Sequence, residues 1–98
     1  MDFKLIWSDG ALADVDRLCA YIAKQNATAA YDVARGIFAH VKILSSFPLI
    51  GPTYPRGARG PLREIVFRNY RIFYDVDEEV RRVDILHVRH AAQDEPMF

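Results

Sequence analysis

The sequence predicts a single α+β domain, in which one strand and an antiparallel helical hairpin precede a three-strand antiparallel meander. Two patterns predict this. Apolar residues recur at three- and four-residue steps in the first half, as in amphipathic helices, whereas the stretch from Leu62 to His90 alternates as strands do. A chain of 98 residues has room for one hydrophobic core. We therefore expect one domain over residues 1–98.

The N-terminal half is predicted to form the first strand and the helical hairpin. Residues 3–7 (FKLIW) are a short apolar run with aromatic and β-branched members, which is typical of a strand. Ser8 or Asp9 can cap a helix over residues 9–25, and the polar break after it begins a second helix over residues 27–46. The short linker between the helices predicts an antiparallel pair. The two apolar stripes are Ala11, Leu12, Val15, Leu18, Cys19 and Ile22, then Ala30, Val33, Ala34, Ile37, Val41 and Leu44.

The C-terminal half is predicted to form a loop and the meander. Residues 47–61 hold four of the five prolines and three of the five glycines, so we expect a loop there. Strands are predicted over residues 62–67, 70–76 and 80–89, and the tail over residues 91–98 reads as poorly tied down. Alternation places Val83, Ile85, His87 and Arg89 on one face of the last strand. The pattern leaves open which face of the sheet meets the core.

The charge is balanced overall but uneven along the chain. The formal net charge is zero, which argues against a protein that simply coats nucleic acid. Residues 51–71 carry five arginines against Glu64 alone, a local charge of +4, and residues 72–98 carry three arginines against seven acids, a local charge of −4. Arginine suits phosphate or carboxylate recognition. The alternative is a solvated loop whose arginines pair with the acidic tail.

Several classes of protein and site are not expected. The apolar runs are too short for a membrane span, and the N-terminus lacks a secretory signal pattern, so the cytoplasm is the default location. Cys19 falls on a helical stripe and is expected to be a buried core thiol rather than a reactive one. Three separated histidines and one cysteine predict no metal site, and we expect no cofactor.

The order of elements, together with several short motifs, resembles the RelE/ParE superfamily of bacterial type II toxins. The most specific motifs are LREI (62–65), YRIFYDV (70–76) and ILHVRH (85–90), and the helical half adds ADVD (13–16), Tyr21-Ile22 and FPLIG (47–51). The resemblance covers nearly the whole chain. It implies a cognate antitoxin, which folds a C-terminal segment over the toxin and silences it. It therefore implies a hetero-oligomer of toxin and antitoxin.

The superfamily implies two possible targets, because RelE-like members cut mRNA on the ribosome and ParE-like members inhibit DNA gyrase. In a metal-free nuclease, Arg63 and Arg71 could supply positive charge and His90 could act as acid or base; His87 or Glu64 could also transfer the proton. However, two alanines follow His90, and the loop before the meander holds Arg56 and Arg59 but no lysine, unlike many RelE-like nucleases. The ILHVRH ending resembles the ParE-like branch. We therefore expect a gyrase inhibitor. The alternatives are a ribosome-dependent mRNA endoribonuclease and an inactive toxin that only binds its antitoxin.

Two candidate surfaces follow from the resemblance and the residue chemistry. The exposed side of the helical hairpin can receive the apolar face of an antitoxin helix, although the same stripes must also pack the core. The arginines and histidines of the meander are candidates for the target, although His87 can be a satisfied strand histidine and Arg63 and Glu64 can pair across the sheet. The antitoxin-binding candidates are Leu18, Tyr21, Ile22, Val33 and Ile37, and the target-binding candidates are Arg63, Arg71, His87, Arg89 and His90.

Overall fold

The computed structural model describes residues 2–54 and 61–91, and it confirms the predicted α+β order of elements. Part of the predicted loop (residues 55–60) and most of the predicted tail (residues 92–98) lie outside the described residues. The elements are β1 (Lys4–Trp7), α1 (Asp9–Ala23), α2 (Ala27–Val41), a 3-10 turn (Lys42–Ser45), β2 (Thr53–Tyr54), β3 (Leu62–Phe67), β4 (Tyr70–Asp77) and β5 (Arg82–His90).

The helices begin where their capping residues predict. The side chain of Ser8 accepts a hydrogen bond from the Ala11 N–H (3.0 Å) at the start of α1. The side chain of Asn26 accepts one from the Ala29 N–H (3.0 Å) at the start of α2. The predicted second helix is too long, because α2 ends at Val41 and the chain tightens into a 3-10 turn that buries Leu44.

The five strands form one mixed sheet in the order β1-β5-β4-β3-β2. The meander β3-β4-β5 is antiparallel, as predicted, and the two-residue strand β2 adds to it beside β3. The first strand, β1, lies parallel to β5, so the two ends of the chain meet in the sheet. The helical hairpin packs on one face of this sheet, and α1 lies against β5.

The core lies between the helices and one face of the sheet. Its fully buried members include Ile37, Val41 and Leu44 from the helical half and Ile72 and Tyr74 from β4. The face of β4 that meets the helices is therefore the one shared by Tyr70, Ile72, Tyr74 and Val76. This answers which face forms the core.

A β-bulge in β5 changes which residues share a face. Phe73 pairs with His87, but the next residue, Tyr74, pairs with Ile85, so Leu86 is an extra residue in β5. Because of this extra residue, positions two apart along β5 on opposite sides of the bulge no longer lie on the same face of the sheet. The prediction that His87 and Arg89 share a face with Val83 and Ile85 is therefore wrong, and Val88 takes the next core position instead.

Cys19 lies on α1, half-buried against the core. Its Sγ donates to the carbonyl of Ala30 (3.6 Å). Burial, together with the nearby negative charge of Asp16, raises the pKa of the thiol. Because the thiolate is the reactive form, this environment fits the predicted packing role rather than a reactive one.

Candidate functional site

A cleft opens between α1 and the C-terminal end of β5. The pairing of β5 with β1 stops at Ile85, whereas β5 continues to His90, so α1 flanks this last part of the strand. We call it the α1–β5 cleft, and its volume is about 530 Å³. It is lined by Asp14, Arg17, Leu18, Tyr21, Ile22, Tyr70, Val88, Arg89 and His90.

Asp14 ties the two walls of the α1–β5 cleft together. The residue is 5% exposed, and its Oδ2 accepts a hydrogen bond from the Val88 N–H (2.9 Å) and another from Arg89 Nη1 (2.5 Å). Its other oxygen, Oδ1, pairs with Arg17. A buried carboxylate requires such partners. Asp14 therefore satisfies a backbone donor of β5 that lies beyond the reach of β1.

Ser8 makes the corresponding contact one step earlier along β5. Its N–H donates to the carbonyl of Ile85 (3.0 Å), and its Oγ donates to the carbonyl of Leu86 (3.3 Å). Ser8 and Asp14 together replace ladder hydrogen bonds where the parallel pairing ends. These contacts set the position of α1 against β5 and hence the shape of the cleft.

Beside this polar contact, α1 contributes an apolar wall to the cleft. Tyr21 is 67% exposed on α1, and Leu18 and Ile22 beside it are half-buried. Across the cleft, the rings of Tyr70 and His90 pack edge to face with centroids 5.7 Å apart. Large aromatic and aliphatic side chains beside polar groups are typical of surfaces that receive a protein segment.

The α1–β5 cleft also carries a positive charge. Arg17 and Arg89 share the single carboxylate of Asp14, so this cluster has a formal charge of +1. Arg17 is well exposed on the rim, whereas Arg89 is mostly covered. The cleft therefore combines an apolar wall with a basic rim, which suits an amphipathic segment that bears acids.

The face of the sheet opposite the core carries three of the five target-binding candidates. Arg71 pairs with Arg89 and Phe73 pairs with His87 in the β4–β5 register, so these four residues share what we call the outer face. Arg89 Nη2 lies 3.4 Å from His87 Nδ1. The guanidinium of Arg71 lies over the ring of Phe73, 4.9 Å from its centroid. The structure thus gathers Arg71, His87 and Arg89 on one surface.

Arg71 also forms a bidentate ion pair with Glu64 of β3. Its Nε lies 2.7 Å and its Nη2 lies 3.1 Å from the two carboxylate oxygens, and both side chains are largely covered. Planar pairs of this kind are among the stronger charged hydrogen bonds. Glu64 therefore forms the pair across the sheet that the sequence analysis gave as its alternative role. This pair holds the Arg71 side chain against the outer face.

Arg63 lies apart from the other target-binding candidates. It pairs with Tyr74 in the β3–β4 register, so it belongs to the core side of the sheet. Its Nη1 donates to the carbonyls of Leu49 (3.1 Å) and Gly51 (2.7 Å). The Gly51 N–H in turn donates to the hydroxyl of Tyr74 (3.0 Å), and burial raises the pKa of that hydroxyl. Arg63 and Tyr74 thus hold the segment that leads into β2.

The antitoxin-binding candidates divide between the cleft and the core. Leu18, Tyr21 and Ile22 line the α1–β5 cleft. Val33 and Ile37 are 7% and 0% exposed and belong to the hydrophobic core. The prediction that they belong to the antitoxin-binding surface is therefore wrong. The periodicity could not separate them, since one stripe per helix serves both the core and the surface.

Four cleft residues were missed by the sequence prediction: Asp14, Arg17, Tyr70 and Val88. A signal for Asp14 was present, because it lies three residues after Ala11 and four before Leu18, on the apolar stripe of α1. A carboxylate in that position must be buried with a partner. Nothing local indicated that the partners would come from β5, 74 and 75 residues away.

Across residues 2–54 and 61–91, no three histidine, cysteine or carboxylate side chains group as a metal site requires. In the same two ranges, no helix has both the length and the apolar character needed to cross a membrane.

The fold is the one that toxins of type II toxin–antitoxin systems share. The structure is similar to the chromosomal ParDE toxin–antitoxin system of P. aeruginosa, with a TM-score of 0.72 and 21% identity over 90% of this chain and 95% of that one. It is also similar to the RelBE2 toxin–antitoxin complex of Mycobacterium tuberculosis, with a TM-score of 0.61 and 23% identity over 92% of this chain and 99% of that one. No curated protein sequence matches the chain.

The sequence defines the family more closely than these structures do. Residues 5–95 match the family of ParE toxins of the parDE type II toxin–antitoxin system. This match spans nearly all of the chain, from β1 into the tail. The chain therefore belongs to the ParE toxin family.

Proposed function

We propose that this chain inhibits DNA gyrase by binding to it, and that a cognate antitoxin silences the chain by occupying the α1–β5 cleft. Membership of the ParE toxin family supports the proposal. Both similar solved structures are toxin–antitoxin systems, which supports an antitoxin as the partner. The apolar wall of Leu18, Tyr21 and Ile22 and the basic rim supply the chemistry for that partner.

The observation that favours binding over RNA cleavage is the separation of Arg63 from Arg71. Arg63 belongs to the core side of the sheet and bonds two backbone carbonyls, whereas Arg71 belongs to the outer face and pairs with Glu64. The third nuclease candidate, His90, lines the α1–β5 cleft. Acid–base cleavage needs charged groups within hydrogen-bond reach of a single phosphate. These three side chains lie in three different places.

The proposed gyrase-binding surface is the outer face around His87 and Arg89. Arg89 belongs to this face by its register and to the α1–β5 cleft by its contact with Asp14. An antitoxin segment seated in the cleft would therefore contact a residue of the target surface. The antitoxin would then block gyrase binding by covering only part of the outer face.

A gyrase supercoiling assay with the purified chain tests the proposal. The chain should inhibit supercoiling, and His87→Ala should raise the half-inhibitory concentration about tenfold, the effect of losing a contact worth about 1.4 kcal/mol. Tyr31→Ala is the matched control, because Tyr31 is 58% exposed on α2, away from both surfaces.

Three outcomes would decide against the proposal. A chain that leaves gyrase unaffected at large excess would exclude the target. New codon-phased 5′ ends in transcripts after induction would establish the nuclease instead. Normal growth on expression of the chain alone would favour an inactive toxin that only binds its antitoxin.

A further inference from the structure

The edge of β3 that faces away from β4 is covered along only part of its length. The strand β2 pairs with Leu62 and Arg63, and the N–H of Glu64 donates to the carbonyl of Pro52 (3.2 Å). Backbone N–H groups point to the same side at every second residue of a strand, so the N–H and carbonyl of Val66 point to this edge as well. Within residues 2–54 and 61–91, the structure places no strand beside Val66 on this side. We call this end of β3 the open edge.

Apolar side chains flank the open edge. A groove of about 240 Å³ beside it is lined by β3, the 3-10 turn and the segment before β2. Ile43, Ile50 and Val66 line this groove and are 40%, 56% and 54% exposed. Proteins protect exposed strand edges with lysine, proline or a bulge, but β3 contains neither residue and its pairing with β4 has no bulge. The open edge therefore has the features of a site that pairs with another strand.

We propose that two copies of this chain pair through the open edge, with β3 of one copy antiparallel to β3 of the other. A twofold axis at Val66 lets the N–H of each Val66 donate to the carbonyl of the other. The two five-stranded sheets then join into one continuous sheet. The exposed side chains of Ile43 and Ile50 in both copies lie at this interface.

The charges along β3 favour a second copy as the occupant. In an antiparallel pair centred on Val66, Glu64 of each copy lies beside Arg68 of the other, because both residues are two positions from the axis. Glu64 already pairs with Arg71 of its own chain, but a carboxylate has capacity for further donors. A parallel pair in the same register would instead bring like charges together. The chain also has no net charge that would keep two copies apart.

The self-pairing is independent of gyrase and of the antitoxin. The strand β4 separates β3 from β5, so the interface and the α1–β5 cleft lie at different places on the sheet. A dimer of this kind therefore presents the cleft of each copy to a further partner.

Sedimentation equilibrium of the purified chain under reducing conditions tests the pairing. Concentrations from about 1 µM to about 1 mM cover weak association, and the apparent mass should rise towards that of a dimer. Val66→Lys should raise the dissociation constant at least about tenfold, because lysine on an edge opposes strand pairing. Val80→Lys is the matched control, since Val80 is 59% exposed in the turn between β4 and β5.

Arg68→Glu is a second variant, which leaves Val66 in place. It brings like charges together across the axis and should raise the dissociation constant about fivefold, the effect of a surface charge pair. Arg81→Glu is its matched control, because both arginines lie in turns with positive φ (54° for Arg68 and 55° for Arg81).

Hydrogen exchange locates the contact within the dimer. The Val66 amide should exchange more slowly as the concentration rises, whereas the Val80 amide in the distant turn should keep its rate. A chain that stays monomeric at the highest concentration overturns the proposal, as does a dimer in which the Val66 amide gains no protection. Protection of Val66 only after the cognate antitoxin is added would assign the open edge to the antitoxin and would also overturn self-pairing.

Discussion

Replacing Asp14 with alanine tests the contact that joins α1 to the end of β5. The substitution removes the acceptor of the buried Val88 N–H, which costs about 1–3 kcal/mol when left unsatisfied. It also breaks a charge pair with Arg89. Breaking a fully buried pair costs about 3–5 kcal/mol, but the Arg89 side chain is 27% exposed, so water can solvate the charge that remains. The better helix propensity of alanine returns about 0.5 kcal/mol.

The net expectation is a loss of about 2–3 kcal/mol of unfolding free energy, a large part of the stability of a small domain. Urea unfolding measures it, and the midpoint should fall by about 1–2 M. Native-state hydrogen exchange should show faster exchange of the Val88 amide, because its acceptor is gone. Asp14→Asn keeps an acceptor and loses only the charge, so its loss of stability should be smaller.

Asp16→Ala is the matched control for this experiment. Asp16 is the same residue type on the same helix and is exposed, so its replacement should change stability by no more than about 0.5 kcal/mol. The reasoning is refuted if Asp14→Ala unfolds at the same urea concentration as Asp16→Ala. It is also refuted if the Val88 amide exchanges at an unchanged rate.

Three further predictions concern the core, the loop before β2 and the cleft. Gly36→Ala should lower the melting temperature, because the Cβ of the alanine would overlap the ring of Phe67. This overlap should outweigh the helix propensity of alanine, which is better than that of glycine by about 1 kcal/mol. Tyr74→Phe should cost about 1–3 kcal/mol at neutral pH by stranding the buried Gly51 N–H. In the parent chain, the raised pKa of Tyr74 contributes to the free energy of unfolding. This contribution is fully present below pH 10 and is lost as the pH rises through the folded-state pKa. The Tyr74→Phe variant should therefore lack this loss of stability at alkaline pH when unfolded in urea. Tyr21→Asp should weaken antitoxin binding at least tenfold by calorimetry, because the exposed ring belongs to the cleft.

Each of these predictions has an outcome that contradicts it. A Gly36→Ala variant as stable as the parent would mean that Phe67 moves aside freely. An unchanged alkaline profile in Tyr74→Phe would assign the pH dependence to another group. Antitoxin binding that Tyr21→Asp leaves intact, in a variant that stays folded, would remove the α1–β5 cleft from the antitoxin interface; Tyr31→Asp serves as its control.

The sequence by itself determined the helices, the first strand, the three strands of the meander and their order, because the signals for them are local; the two-residue strand β2, inside the predicted loop, was not among them. Ser8 and Asn26 start the helices where they can accept backbone hydrogen bonds, and the alternation over residues 70–76 specifies a strand with one apolar face. The family motifs lie within these elements and carried the resemblance. The matching family confirms it over residues 5–95.

The tertiary structure alone decided which side chains meet. Periodicity states which residues share a face but not which face is covered, so Val33 and Ile37 could not be told apart from the surface residues of their helices. The bulge at Leu86 moves His87 and Arg89 to the outer face, and a single extra residue leaves little trace in an alternating pattern. Asp14 meets β5 only because α1 packs beside a strand from the far end of the chain. Both candidate surfaces depend on such non-local contacts, which local sequence patterns do not encode.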